Sequence, residues 1–420
     1  MVHSSLHNGA PAASSSWRKL LGDAANAVQK PARTLAILLL EAWHEDFTLG
    51  KNLPQAAYLP PEELVKKKFS GLKRFHEKLI TSADKKTQIG LWEKDAQEDQ
   101  PVYVLFHGRN GHWGYSDDRN KVILRSLTNN HAYHDQTSEI GYDPYYRLRL
   151  LEAMAEKGGV VAVHTRGFGL SNEDLQKFKK LGSASKVNLS EMALDQDMDA
   201  LADYLLKKMP PEKIVVAGES LGGAMAAMFT KKLVERSAPP KVLGLINTFD
   251  NMPHAVEPYV NARMGKMHKL MPWEEWHEIT VKEIAKHITE RFNISKWLRY
   301  LKGKPGERSP DVYIAHTLHD DRVSHKKALS NTATAVKAGL NCKLRIWENK
   351  DLVQGTRKPH VGWDPHKIAD DLEEMYRTGQ LSQRVNQDTA ADNLAAMEEP
   401  DRNPPPLRKN RNGTTNGIVR

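Results

Sequence analysis

Ile214-Val215-Val216-Ala217-Gly218-Glu219-Ser220-Leu221-Gly222-Gly223-Ala224 is the stretch on which the reading of this chain turns. Four apolar residues in unbroken succession, three of them β-branched, suit a strand covered on both faces, as in a parallel sheet. A G-x-S-x-G turn follows, and then a run of small residues that reads as a closely packed helix. Glycine is needed at Gly218 and Gly222 because a Cβ at either place would collide with the neighbouring strand or helix. The turn lifts Ser220 above the sheet edge and sets it at a helix N-terminus, where unpaired N–H groups and the dipole favour developing negative charge. A hydroxyl so placed is a candidate nucleophile.

Outward from this turn, apolar runs alternate with helical stretches, the pattern of a mostly parallel central sheet flanked by helices, an α/β architecture. Strands are predicted at 102–106, 160–163, 214–217, 242–246, 312–315 and 343–347, and helices at 145–157, 195–208, 221–235, 326–338 and about 367–377. Two connections are longer than a crossover requires: 112–141, and 248–310 with helical patterning around 273–292. Insertions of this length at strand ends are commonly functional, and 248–310 is expected to form a helical cap. Residues 1–30 and 381–420 read as disordered tails from their Ala/Ser/Asn and Asn/Asp/Pro/Arg bias. Between them, 31–78 is expected to be a helical extension and 79–380 the main domain. In the extension Leu35, Leu39, Trp43 and Phe47 recur every fourth residue, and Pro60-Pro61-Glu62-Glu63 has the form of a helix start. The extension is expected to pack on the main domain, an interfacial membrane helix being the second reading.

With 40% apolar and 27% charged residues in 420, the chain can bury a full core, which excludes wholesale disorder. A single cysteine, Cys342, excludes an intramolecular disulfide; its thiol is expected to pack in a strand, and a cytoplasmic, reducing location fits. Residues 1–16 carry no apolar signal-peptide core, and the most apolar run, 35–40, is far shorter than the roughly 20 residues of a membrane span. The net charge of +9 comes partly from basic clusters at 66–68, Lys73, Arg74 and 402–420. These clusters read as solvated faces and a tail; weak contact with an anionic membrane is a secondary expectation, and no nucleic-acid partner is expected. His316, His319 and His325 match no metal-ligand spacing and are read as surface or loop histidines, so no metal and no cofactor is expected.

Further segments carry a family likeness. Residues 80–92 resemble the opening hairpin of the α/β-hydrolase superfamily, and Val104-Leu105-Phe106-His107-Gly108 its oxyanion strand. Residues 160–171, with Arg166-Gly167-Phe168-Gly169-Leu170-Ser171, resemble its R-G-x-G-x-S segment, while 311–323 and Pro359-His360-Val361-Gly362-Trp363 resemble its acid and histidine segments. The likeness runs from about 79 to 376, in the family's order, and is strongest to the monoglyceride-lipase-like and bud-emergence-type acyl hydrolases. Two positions depart from the pattern: His164 stands where aspartate is common, and Thr317 where glycine is usual.

The resemblance implies an α/β-hydrolase fold and a serine hydrolase with Ser220 as nucleophile, His360 as base and Asp320 as acid, in the chain order of this fold. Asp321, one residue on, and Asp250, just past the strand at 242–246, remain rival acids. The oxyanion hole would use the backbone N–H groups of Leu221 and, by resemblance, Arg109, with His107 and Gly108 in the oxyanion loop. The expected reaction is cleavage of a small-molecule carboxylic ester or thioester, lipid-like in character, through an acyl-serine. Trp273, Trp276, Trp297 and Tyr300 beside Arg299 and Lys302 would suit an acyl chain with a polar or anionic head, or simply form the cap's core. A serine peptidase or acyltransferase, or a non-catalytic binding protein on the same scaffold, are the alternatives.

Overall fold

The computed structural model describes residues 60–66, 69–108, 113, 146–171, 190–255, 291–320, 322–348, 360 and 363–381. They lie in one compact unit of the chain, residues 49–255 with 290–420. The expected tails, the periodic helix at 35–47, the loop 114–141, the cap interior 256–290 with Trp273 and Trp276, and the candidates Arg109 and Asp321 fall outside the described residues.

Eight strands form one sheet: β1 His76–Thr81, β2 Gln88–Lys94, β3 Val102–Phe106, β4 Gly159–Val163, β5 Ile214–Glu219, β6 Val242–Ile246, β7 Asp311–Thr317 and β8 Cys342–Trp347. Their spatial order is β1-β2-β4-β3-β5-β6-β7-β8. Among these strands only β1 with β2 and β2 with β4 pair antiparallel; every later neighbour is parallel. The opening hairpin begins at His76, within the stretch expected to be helical extension. Before it come the short helix α1 Pro61–Val65, with proline at its first position, and the 3₁₀ turn Ser70–Arg74.

The remaining helices are α2 Tyr146–Lys157, α3 Glu191–Lys208, α4 Leu221–Glu235, α5 Ile294–Tyr300, α6 Lys326–Lys337 and α7 Pro365–Thr378. Local chemistry sets their ends. The Ser190 hydroxyl oxygen accepts from the Ala193 N–H at 3.2 Å at the start of α3. Asp364 accepts from the His366 N–H at 2.9 Å at the start of α7, which has Pro365 at its first position and stops at Gly379 with φ +65°. In the layer of α2 and α7 these two helices pack on each other; in the other, α3, α4, α5 and α6 each pack on the next.

Side-chain alternation along the strands divides the core between these layers. Tyr103 and Leu105, Val160 and Ala162, Val215 and Ala217 join α2 and α7 in one buried cluster with Leu151, Met154, Leu372 and Met375. The alternate residues face the other way, and Phe106 meets Phe229 of α4 with ring centroids 5.8 Å apart. Trp297, expected in the cap, is buried in α5 against α4 and α6, whereas Tyr300 is exposed. Cys342 opens β8, where burial pushes its thiol up to about 12. Among the described residues no helix is long and apolar enough to cross a membrane.

Parallel pairing aligns the strand ends. Phe106 is in register with Val163 and Gly218, Glu219 with Ile246, and Ile246 with Ala315. The residues that follow β3, β5, β6, β7 and β8 therefore leave from one carboxyl edge, where open α/β sheets place their sites.

Candidate active site

Ser220 sits between β5 and α4 with φ +53° and ψ −120°, a conformation an L-residue holds only under constraint. Three bonds supply that constraint. Its N–H donates to the Ile246 carbonyl at 2.9 Å, and its own carbonyl accepts from the Gly223 N–H at 3.0 Å and from the Thr248 hydroxyl at 2.6 Å. The flanking glycines are sterically required: a Cβ on Gly218 would strike the Gly222 carbonyl, and one on Gly222 the Phe106 carbonyl. Leu221 is the first residue of α4, so its N–H has no carbonyl behind it within the helix.

Under the serine, Glu219 is buried and accepts from the Tyr146 hydroxyl at 2.8 Å and from Arg147 at 3.3 Å. A Cβ on Gly108 would come within 2.8 Å of its carboxylate, so the chain just past β3 runs tightly over this residue. His107 is buried beside it; its Nε2 accepts from the Thr165 N–H at 3.2 Å, which leaves Nδ1–H to donate to the Gly108 carbonyl at 2.8 Å.

At the ends of β7 and β8, Asp320 and His360 come together. The Asp320 Oδ2 is 2.7 Å from His360 Nδ1, and the carboxylate side chain is fully buried. Its Oδ1 accepts from the Arg322 and Val323 N–H groups at 2.8 and 2.9 Å. Burial by itself would raise this acid's pKa, but the positive charge His360 can carry and the hydrogen bonds from His316 and His360 outweigh it, holding Asp320 well below the usual carboxylate range. With Nδ1–H committed to the carboxylate, His360 Nε2 is left as the basic nitrogen.

The rival Asp250 is engaged elsewhere: its Oδ2 is 2.8 Å from His254 Nδ1 and 3.9 Å from Lys327 Nζ, and its Oδ1 accepts from the Asn251 N–H at 2.9 Å. One expectation is corrected. His316 is not a surface or loop histidine but a fully buried β7 residue, its Nε2 2.8 Å from the Val323 carbonyl and 3.3 Å from Asp320 Oδ2. β7 is buried on both faces from Val312 to Thr317 and carries His316 inward with it, a signal already present in the continuous apolar run Val312 to Ala315.

The departures from the family pattern have local causes. His164 is buried edge-on to Trp92, with ring centroids 5.3 Å apart, and its carbonyl accepts from the Ser171 hydroxyl at 2.6 Å. Arg166 pairs with Asp197 at 2.5 and 2.7 Å and reaches Asp84 and Ser82, tying the β1–β2 turn to α3. Thr317 is bound to Asn247, whose Nδ2 also donates to the His360 carbonyl at 2.7 Å. Asn247, Thr248, His316 and Glu219 were not singled out from sequence as site residues; only the odd threonine at 317 pointed toward one of them. Among the described residues no cluster of three or more His, Cys, Asp or Glu is arranged to hold a metal ion.

The sheet order and the strained turn define an α/β-hydrolase fold. Solved structures similar to the chain include an alpha-beta hydrolase from Vibrio vulnificus, 15% identical over 81% of this chain and 94% of that one, with a TM-score of 0.52. A Pyrococcus furiosus esterase is 16% identical over 75% and 91%, with a TM-score of 0.41. A Pyrococcus horikoshii acylaminoacyl peptidase is 16% identical over 79% and 46%, with a TM-score of 0.44. Within the chain, residues 174–251, which hold α3, β5, α4 and β6, match the family model of class 3 lipases. No curated protein matches the sequence.

Proposed function

We propose that the protein is a serine hydrolase that cleaves a carboxylic ester or thioester, with Ser220 as nucleophile, His360 as general base and Asp320 as the acid that orients it. The observation that carries this reading is the buried Asp320–His360 contact of 2.7 Å on the sheet edge from which the constrained Ser220 also leaves. The local match to class 3 lipases supports the ester-cleaving class.

The chemistry follows from the donors and acceptors. His360 Nε2 takes the Ser220 proton as Oγ attacks the acyl carbon, and Asp320 stabilises the imidazolium so formed. The tetrahedral oxyanion is held by the Leu221 N–H at the start of α4 and, on the family resemblance, by the Arg109 N–H. Collapse expels the alcohol or thiol, which takes the proton from His360. Water, deprotonated in turn by His360, then releases the acid and regenerates Ser220. No step draws on a metal or an organic cofactor.

The test is labelling of the purified protein by a fluorophosphonate, with the modified residue located by peptide mass, followed by a panel of esters, thioesters and aminoacyl amides. Labelling at Ser220, lost in Ser220→Ala together with at least about a thousandfold of kcat on any cleaved ester, is the expected result. Absence of labelling in a folded wild type would leave a non-catalytic scaffold; amide cleavage exceeding ester cleavage would make it a peptidase.

A further inference from the structure

Asn247 is the first residue beyond β6, wholly buried, with φ +44°. Asparagine tolerates this left-handed region better than most residues. Its N–H donates to the Ala315 carbonyl at 2.8 Å, which continues the β6–β7 pairing one step past the strand.

The side-chain amide has only one workable orientation. The His360 carbonyl can only accept and the Thr317 N–H can only donate. Nδ2 must therefore face His360 O, at 2.7 Å, and Oδ1 the Thr317 N–H, at 2.9 Å. The reverse would oppose two oxygens on one side and two N–H groups on the other, each unmet buried group costing about 1–3 kcal/mol. The second Nδ2 hydrogen goes to the Thr317 hydroxyl at 3.2 Å, an acceptor that the family's usual glycine would not supply.

Two chains of contact run from this one amide. The first reaches the backbone of His360 directly. The second reaches Thr317, whose carbonyl accepts from the Asp320 N–H at 3.2 Å, and so sets the turn that presents the acid. Asp320 and His360 come from separate strand ends and meet only at 2.7 Å through their side chains. Their backbones are referenced to each other through Asn247.

We infer that Asn247 is the positioning residue of the acid–base pair: its amide fixes where the His360 backbone stands relative to the Asp320 turn, and Thr317 is the partner that keeps the amide oriented. The inference rests on the assignment of His360 as the base. Asparagine is specified by the contacts, since aspartate keeps the acceptor for Thr317 but loses the donor to His360, and glycine keeps the backbone angle but loses both.

The experiment compares full-length wild type with Asn247→Gly, Asn247→Asp and Thr317→Val. It measures the rate of fluorophosphonate labelling at Ser220, kcat and KM on a short ester the wild type cleaves, and the melting temperature of each protein. Both Asn247 variants are expected to lose about 10- to 100-fold in kcat and in labelling rate with KM changed by no more than about twofold, as for a misplaced but intact base. Thr317→Val, which leaves Asn247 and the backbone in place, should show a smaller loss of the same form, and it carries the test if Asn247→Gly does not fold. Wild-type kcat in a folded Asn247→Asp, or losses that only follow the melting temperature, would overturn the inference. A wild type that reacts at a residue other than Ser220, or not at all, would instead overturn the assignment of the site.

Discussion

Replacing Asp320 by asparagine should do more than remove a charge, and the structure shows which way the new amide must turn. The Asp320 Oδ1 accepts two backbone N–H groups, from Arg322 and Val323, at 2.8 and 2.9 Å. Neither can accept, so the amide oxygen of the substituted side chain has to occupy this position; the opposite orientation would leave two donors facing donors, at about 1–3 kcal/mol each. The amide NH₂ is then forced onto the Oδ2 position, 2.7 Å from His360 Nδ1. His360 can meet a donor there only with a bare Nδ1, which moves its proton to Nε2. The nitrogen that should take the Ser220 proton is already protonated. The expected loss is about 10⁴-fold in kcat, or about 5 kcal/mol of transition-state stabilisation, with little change in KM. Steady-state hydrolysis of a chromogenic ester, checked against the circular dichroism and melting of the variant, measures it. A folded Asp320→Asn within tenfold of wild type, above all if Asp250→Asn is the damaging change, would refute the reasoning and move the acid to the end of β6.

Asp84 carries a second prediction. Burial disfavours its charge but is outweighed by the Lys86 and Thr87 N–H groups, the Thr87 hydroxyl and Arg166, which depress its pKa from 3.8 to about 2. A depressed acid contributes stability above its unfolded value and loses it on acidification, so wild type should be stabilised relative to Asp84→Asn by up to about 2 kcal/mol near neutrality, the difference shrinking between about pH 4 and 2. Denaturant melts across that range test it, and a pH-independent difference would count against it. Gly222→Ala should lower stability by at least about 1–3 kcal/mol, because its methyl would strike the Phe106 carbonyl, and an unchanged melting temperature would contradict the close packing of α4 on β3. Exchanging residues 256–290, the interior of the expected cap at 248–310, for a short linker should change acyl-chain preference and KM far more than labelling of Ser220 by a small fluorophosphonate; unchanged selectivity would shift attention to residues 112–141.

Local patterns in the sequence carry most of the framework. The helix expected at 221–235 coincides with α4, and the six strand runs all recur in the sheet, because β-branched continuity and glycine placement are properties of neighbouring residues. What escaped were contacts between distant segments. Nothing near Asn247 announces that its amide will meet His360, 113 positions away. Likewise Glu219 meets Tyr146 from 73 positions away, a pairing set by how α2 crosses the sheet. His316 differs from its expected place for a related reason: its polarity suggests a loop, while it continues a strand that is covered on both faces. The early start of β1 at His76 went unseen because that strand is largely exposed and has little apolar pattern to betray it.

The backbone angles of Ser220 have a consequence for how this chain can evolve. A φ of +53° with ψ −120° is territory glycine enters freely, and holding a serine there withholds about 1–3 kcal/mol from a folded state whose whole margin is only about 5–15 kcal/mol. Selection for thermal robustness alone would therefore drift position 220 to glycine and gain by it. That a serine is nonetheless held there marks the turn as a place where the sequence answers to something other than folding, which is what the proposed role of nucleophile requires of it.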